Sequence, residues 1–186
     1  FFTMTAAPNP RHLDRRTHMK IALLALLFAI SASAHASSHA LPSACGAGKA
    51  NFQVTLDKAQ HTPVPVESGK ARVYFIQDLG PHNYIAEINV GMDGAWVGAN
   101  RDNSYFSVSV DAGRHHVCEN VKSHFSTYGR LVELADFNAE PGKVYYFRAR
   151  LSFGENQPSL ELEPIDSDEG EHLIASYPLS VVQLKK

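Results

Sequence analysis

The sequence predicts an all-β fold: an antiparallel β-sandwich, immunoglobulin-like or jelly-roll-like, with one short C-terminal helix. Short segments of alternating apolar and polar residues recur along the chain, and turn-forming residues separate them at short intervals. The strand–helix–strand spacing of parallel sheets is absent, which argues against a parallel nucleotide-binding sheet. We therefore expect about eight short strands arranged as a sandwich or barrel-like fold.

The first part of the domain combines strands with a proline-containing connector. Residues 51–56 alternate in hydropathy and are predicted to form a strand. Pro63 and Pro65 cannot donate ladder hydrogen bonds, so residues 61–68 are predicted to be a connector. Residues 70–77 are rich in β-branched and aromatic side chains, which is typical of a central strand.

A hairpin and a regular strand follow. Asp93-Gly94 is predicted to form the hairpin turn, because both positions accept a positive φ. Residues 84–90 and 95–98 flank this turn as its strands. Residues 104–110 alternate cleanly and form the next predicted strand.

The C-terminal half contains further strands and the helix. The predicted strands are residues 114–119, 131–137, 144–153 and 159–163, with a polar loop at 122–130 and a Pro-Gly turn at 141–142. Residues 166–176 are predicted to be helical, with Asp166 or Ser167 as the N-cap and acidic residues in the first turn. Pro178 ends the helix.

The N-terminal region has the pattern of a Sec-type export signal. Lys20 precedes an apolar run at residues 21–30, and Ala34-His35-Ala36 fits a signal-peptidase site. The run has 10 residues, whereas a membrane-spanning helix needs about 20, so a retained anchor is the weaker alternative. A twin-arginine signal starting at Met4 is a second alternative, but the leucine-rich core favours Sec.

These patterns predict four parts of the chain. They are an upstream extension that is untranslated or wrongly assigned at residues 1–18, a signal peptide at 19–36, a flexible lead-in at 37–50 and a single β-sandwich domain at 51–186. The extension is predicted because the chain opens on Phe1, and Met19 is the natural start.

Charge and length limit the possible functions. Cleavage after Ala36 would leave 186 − 36 = 150 residues, the size of one domain. From Ser37 onward, 13 Lys and Arg face 18 Asp and Glu, a net charge of −5. No basic patch for nucleic acid or basic amphipathic stretch for lipid is present. We expect a periplasmic or secreted protein with no nucleic-acid partner and no transmembrane helix.

The two cysteines, Cys45 and Cys118, both lie beyond the predicted leader. In an oxidising compartment an even pair of thiols is most simply a disulfide. The bond would close a loop of roughly 73 residues, worth on the order of 4 kcal/mol in the chain-entropy model. A free reactive thiol is the alternative, but neither cysteine lies in a C-x-x-C motif.

One candidate ligand site is an aromatic and cationic patch on the predicted outward faces of two strands. The patch consists of Tyr105, Tyr146, Arg148 and Arg150. It could bind a sugar or peptidoglycan, but a solvated sheet face or a second covered face of the sandwich explains the pattern equally. Trp96, just after the Asp-Gly turn, could likewise contact a ligand or cap the core.

Catalytic, cofactor and metal sites are not predicted. His115 and His116 are adjacent, so on a strand they point to opposite faces and would not easily share one ion. Residues 166–171 resemble a calcium loop, but the glycine spacing is wrong and a helix N-terminus explains the acids. G-x-S-x-G and glycine-rich phosphate motifs are absent. Glu161 and Glu163 are the candidate carboxylate pair for glycoside cleavage.

Several strand and turn motifs resemble a bacterial family of exported domains of unknown function, number 2846 in the unknown-function series. These motifs are residues 69–75, 93–98, 104–106, 112–116 and 141–147, and the resemblance runs from about residue 70 to residue 162. The family is similar to small β-sandwich domains of the cell envelope, which are often lipoproteins. This chain departs from them because Cys45 is a poor lipidation site. The resemblance implies no catalytic residues.

These observations predict a non-enzymatic cell-envelope module that binds or scaffolds a partner, either an envelope protein or a glycan. A hydrolase of envelope carbohydrate that uses Glu161 and Glu163 is the first alternative. A metal-binding protein that uses His115 or His116 is the second.

Overall fold

The structure is a computed structural model that describes residues 40–59, 63–80, 86–122, 131–153 and 157–185. Residues 41–186 form one compact unit. The predicted extension, the signal peptide with its cleavage site, and the start of the lead-in lie outside the described residues, as does most of the predicted loop at 122–130.

The described chain contains ten strands and one helix. Their bounds are β1 (Phe52–Asp57), β2 (Ala71–Gln77), β3 (Glu87–Met92), β4 (Ala95–Arg101), β5 (Ser104–Val110), β6 (Gly113–Lys122), β7 (Val132–Ala139), β8 (Val144–Phe153), β9 (Pro158–Ile165), α1 (Ser167–Ser176) and β10 (Leu179–Leu184). The predicted strands are present, several of them longer than expected. The sequence did not reveal β10.

The strands form two sheets, so the predicted β-sandwich with a C-terminal helix is confirmed. The larger sheet has the order β1-β10-β5-β2-β8-β9, and the smaller has the order β4-β3-β6-β7. The larger sheet is mixed rather than purely antiparallel, because β2 pairs in parallel with β8 and β10 pairs in parallel with β5. Between β2 and β8 the chain forms β5 and the whole smaller sheet, so the two strands can pair in parallel without a helical crossover.

The main core lies between the two sheets. Val73 and Phe75 of β2 contact it from one side, and Val90 of β3 and Val117 of β6 from the other; all four are fully buried. Each such side chain contributes about 1.5–3 kcal/mol through burial. The strict alternation of these positions along their strands fixes which side chains face outward.

Helix α1 covers the outer face of the larger sheet. Its Leu173 and Ile174 pack with Tyr74 and Tyr146 in a second apolar cluster. Asp166 is the N-cap, and its carboxylate accepts a hydrogen bond from the Glu169 N–H at 2.9 Å. The predicted helix is therefore confirmed, and it leaves the central strand β2 buried on both faces.

The predicted Asp-Gly hairpin turn is also confirmed. Asp93 and Gly94 connect β3 to β4 with φ values of 52° and 87°. Gly142, in the predicted Pro-Gly turn, has φ 79°. These turns place Asp93 and the start of β8 at one end of the sandwich, beside the first residues of β6.

Candidate functional site

The candidate site is built around a disulfide between Cys45 and Cys118, which confirms the predicted pairing. Both cysteines are buried. The Cys45 N–H donates to the Pro42 carbonyl at 2.9 Å, and the Gly94 N–H donates to the Ala44 carbonyl at 3.1 Å. The described part of the predicted lead-in therefore packs on the β3–β4 hairpin around Cys45.

Two glycines allow this segment to approach the smaller sheet closely. A Cβ on Gly91 would lie 2.8 Å from the Cα of Cys45, and a Cβ on Gly46 would overlap the ring of Trp96. The Trp96 indole N–H donates to the Gly48 carbonyl at 3.3 Å. Trp96 also packs beside Phe52 in a small apolar cluster, so it caps a core rather than presenting itself to a ligand.

The docked segment forms one wall of a groove of about 620 Å³. The lining residues are Pro42, Ser43, Ala44, Asp93, His116, Val117, Leu134, Ala135 and Asp136. Leu134 is the prominent apolar residue of this surface, since it is 51 % exposed. It lies on β7 directly opposite Cys118, and β7 is one of the two edge strands of the smaller sheet.

A carboxylate joins the two adjacent histidines at one end of the groove. Asp93 Oδ2 lies 2.6 Å from His115 Nδ1, and Asp93 Oδ1 accepts a hydrogen bond from the His116 backbone N–H at 2.8 Å. The other ring nitrogen of His115, Nε2, lies 2.9 Å from the Asp111 carbonyl oxygen. The His116 ring is more distant, with Nδ1 3.9 Å from Asp93 Oδ1.

These contacts shift the pKa values of both partners. Burial alone would lower the pKa of His115, but the hydrogen bonds and negative charges of Asp93 and Asp111 raise it. Burial alone would raise the pKa of Asp93, but the His116 N–H and the His115 ring lower it. Within the described ranges, no three His, Cys, Asp or Glu side chains are placed to hold a metal ion.

A second groove, of about 340 Å³, lies on the other side of β7. It opens between the two sheets and is lined by residues of β7, β8 and β9 and by Ser167 at the start of α1. Phe137 and Tyr145 form part of its wall, with ring centroids 5.0 Å apart. Strand β7 thus has a groove on each of its faces.

The predicted aromatic and cationic patch is not a surface site. Tyr105, Tyr146 and Arg148 are buried, because α1 and its neighbours cover the outer face of the larger sheet. Only Arg150 of the four remains well exposed. The covered-face alternative explains these residues, and the prediction of a surface ligand patch is wrong for the other three.

The two glutamates of the candidate carboxylate pair, Glu161 and Glu163, differ in their contacts. Glu163 accepts from Arg148 Nε at 3.0 Å and lies 3.8 Å from Arg150 Nη1. Arg148 also bonds Glu169 of α1, so it joins β9 to the helix. Glu161 is exposed on the edge strand β9, and neither glutamate lines the two grooves described above.

One buried acid was missed from the sequence. Glu119 on β6 is 1 % exposed, and its Oε2 has no hydrogen-bond partner among the residues that the structure describes. Burial raises its pKa to about 8, with a smaller contribution from the negative charge of Glu133. The predicted strand stopped at residue 119. Two more residues would have shown that Glu119 lies between Val117 and Val121 in the alternation and therefore points inward.

Comparison with known proteins gives one family match. A family model described as "Protein of unknown function (DUF2846)" matches residues 67–161, which are 95 of the 186 residues. No curated protein and no solved structure matches the chain significantly. In the described part of the chain, no helix is long and apolar enough to cross a membrane.

Proposed function

We propose a binding function for this chain, which belongs to the family of proteins of unknown function DUF2846. In this proposal the chain is an exported, non-enzymatic domain that binds an extended segment of a cell-envelope protein. The segment adds to the free edge of β7 and places its side chains in the adjacent grooves.

The disulfide supports the exported location. Cys45 and Cys118 are bonded, and such bonds persist mainly in oxidising compartments outside the cytoplasm. The bond also holds Pro42–Ala44 against the smaller sheet, where these residues form a groove wall. In this proposal export and binding are linked, because the disulfide holds the segment that forms the groove wall.

The observation that carries the proposal is the position of β7. It pairs with β6 on one side and is the last strand of its sheet. Edge strands present unpaired backbone groups, and natural proteins usually protect them with Lys, Pro, bulges or inward charges. The register of β7 with β6 shows no bulge, and β7 contains neither Lys nor Pro. Its inward charge, Glu133, lies near its start, so we place the added segment along residues 134–138. Strand β9 of the larger sheet passes close to β7 but does not pair with it.

The two grooves match the side-chain alternation of an added strand. Successive side chains of an extended peptide point to opposite faces, and β7 has a groove on each face. Main-chain hydrogen bonds would supply affinity and the grooves would supply specificity, as in other cases of β-strand addition.

The charges of the first groove favour an apolar side chain of the partner. Asp93 is paired with His115, and Asp136 accepts a hydrogen bond from Arg114 at 3.1 Å. The surface between them presents the half-exposed Leu134 and no unbalanced carboxylate. Because both carboxylates of the groove are paired and its apolar side chains are aliphatic, it complements an uncharged aliphatic residue better than a glycan. Its lining contains no Phe, Tyr or Trp on which a sugar ring could stack.

The same pairing supports a non-enzymatic role. General acid–base catalysis needs a titratable group that can reach a substrate proton. Asp93 directs both its oxygens to β6, and Asp136 is held by Arg114. The candidate pair Glu161 and Glu163 lies away from both grooves.

Site-specific photo-crosslinking tests this function. A photo-crosslinking amino acid replaces Leu134 in the exported protein, and a matched variant carries it in place of Leu184, which is 74 % exposed on β10. We expect position 134 alone to crosslink to a discrete envelope protein. Mass spectrometry then identifies the crosslinked segment, and a synthetic peptide of that segment should slow amide hydrogen exchange in β7.

Three outcomes contradict the proposal. Equal crosslinking at both positions indicates nonspecific contact. Crosslinking to glycan strands makes the partner a carbohydrate. A peptide that binds without protecting the amides of β7 excludes strand addition.

A further inference from the structure

We propose that His115 is a proton-dependent clasp that holds the groove beside the disulfide in its open, ligand-ready shape. The role of this clasp in binding rests on the function proposed above, but the clasp itself is a property of the domain alone. Three separate segments meet at this side chain: the β3–β4 turn, the β5–β6 turn and β6.

The geometry requires two ring protons. His115 Nδ1 faces the Asp93 carboxylate at 2.6 Å, and Nε2 faces the Asp111 carbonyl oxygen at 2.9 Å. Both partners are hydrogen-bond acceptors. A neutral imidazole carries one N–H and can satisfy only one of them, whereas the imidazolium satisfies both. Loss of the proton therefore breaks one of the two bonds.

The charged and titratable groups around His115 favour the protonated form. Asp93 faces it from the β3–β4 turn, and Asp111 faces it from the β5–β6 turn. The Asp111 side chain is largely exposed, and it lies 3.6 Å from Lys70, which offsets part of its charge. His116 is the neighbour along β6, and its ring lies beyond hydrogen-bond distance of Asp93.

Packing keeps the His115 ring in place. Its side chain is 14 % exposed, and its ring centroid lies 5.5 Å from that of Phe137 on β7. Limited access to water strengthens the contact with Asp93 and makes an unpaired ring nitrogen more costly. The ring consequently has little freedom to find new partners when it loses its proton.

Asp93 transmits the state of His115 to the groove. Its second oxygen accepts the His116 N–H at 2.8 Å, and both Asp93 and His116 line the groove. The backbone N–H of Gly94, the residue after Asp93, donates to the Ala44 carbonyl on the opposite wall of the groove. When His115 is neutral, Asp93 loses a charged partner and the turn loosens. The Pro42–Ala44 wall then loses the Gly94 hydrogen bond as an anchor and is held by the disulfide alone.

An NMR titration of the disulfide-bonded protein from about pH 5 to about pH 9 tests the clasp. The His115 ring should titrate with a midpoint above 6.5, the usual value for histidine. The backbone amides of Gly94, His116 and Cys45 should shift with that same midpoint. His116→Asn is the matched control, and it should leave the midpoint of these amides unchanged, because it retains the backbone N–H.

The variant His115→Asn should abolish the pH-dependent shifts of the three amides. A midpoint at or below 6.5, or amides that do not follow the His115 ring, overturns the proposal. If His115→Asn does not fold, the wild-type and His116→Asn titrations decide alone. No ligand is used, so failure of the clasp leaves the β7-binding proposal standing, and failure of the crosslinking experiment leaves the clasp standing.

Discussion

Glu119 of β6 lies directly opposite Glu133 of β7, on the inward face of the smaller sheet. Its strand neighbours Val117 and Val121 are core residues, and so is its other cross-strand partner, Val90. Two acids facing each other repel when both are ionised. Burial, which disfavours the charged form, and to a lesser extent this repulsion raise the pKa of Glu119, so it keeps its proton in the folded protein at neutral pH.

This arrangement predicts stability that falls with rising pH. The folded pKa of Glu119 is about 8, whereas the ordinary value is 4.5. The stabilising contribution is fully present below pH 4.5, because both states then bind the proton. Between pH 4.5 and about 8 the unfolded state ionises first, so stability decreases by on the order of 1 kcal/mol per pH unit.

Urea denaturation at several pH values checks this prediction. Glu119→Gln should flatten the decline over this range, because a glutamine stays neutral and has nearly the same shape. Glu133→Gln is the control. It removes only the lesser contribution to the raised pKa of Glu119, so it should flatten the decline of stability with pH only slightly. A Glu119→Gln variant with the same pH slope as the wild type would show that Glu119 is ionised in the folded protein.

Removal of the disulfide should destabilise the domain. Cys45 and Cys118 are 73 residues apart, and the chain-entropy model assigns such a loop about 4 kcal/mol. Cys45→Ala with Cys118→Ala should therefore unfold at lower urea concentration than the oxidised wild type. Reductant should lower the wild-type midpoint toward that of the double variant and leave the variant itself unchanged. Equal midpoints in all four conditions would contradict the prediction.

The close packing of α1 depends on Gly170. Alanine is usually the better helix residue by about 1 kcal/mol, but a Cβ at this position would overlap the ring of Tyr146, which is buried. Since the Tyr146 ring is stacked on the ring of Tyr74, we expect Gly170→Ala to destabilise the protein by about 1–3 kcal/mol. Glu171→Ala, at the exposed next position, should change stability by less than about 0.5 kcal/mol. A stabilised Gly170→Ala variant in thermal unfolding would show that α1 can shift.

The Arg148 side chain is predicted to fasten α1 and β9 together. It bonds Glu163 and Glu169 with different nitrogens, and its side chain is 8 % exposed. Arg148→Met should cost about 1–3 kcal/mol, at the low end of buried pairs because both glutamates are partly exposed. Arg148→Lys should recover less than half of this loss, since an ammonium lacks the fork geometry.

The surface pair of Arg114 and Asp136 provides the comparison for Arg148. Both of its side chains are well exposed, so Arg114→Met should cost no more than about 1 kcal/mol. Chemical denaturation of the three arginine variants gives the ranking. If Arg114→Met costs as much as Arg148→Met, the burial of Arg148 does not determine its contribution.

Short-range features were predictable because their cause is local. The φ values of Asp93 and Gly94 follow from the residue types, and Asp166 caps α1 through a bond to the N–H three residues later. The alternation of β5 and β8 follows from the two-residue period of any strand. The disulfide was predictable because the chain has two cysteines, which leaves a single pairing.

Long-range features were not predictable because alternation states which residues share a face and not what covers that face. Tyr146 and Arg148 were correctly placed on the face opposite the main core, but α1 buries that face in the tertiary structure. The alternation of β10 is weak, and it forms a strand because β1 and β5 pair with it.

The sequence by itself determined the all-β class, the helix, the turns and the cysteine pair, since each depends on neighbouring residues or on simple counting. Only the tertiary structure decided that Asp93 meets His115, a contact between residues 22 positions apart. It also decided that β7 is an edge strand with a groove on each face. Strand order and sheet packing bring these groups together, and neither can be predicted from the local pattern of residues.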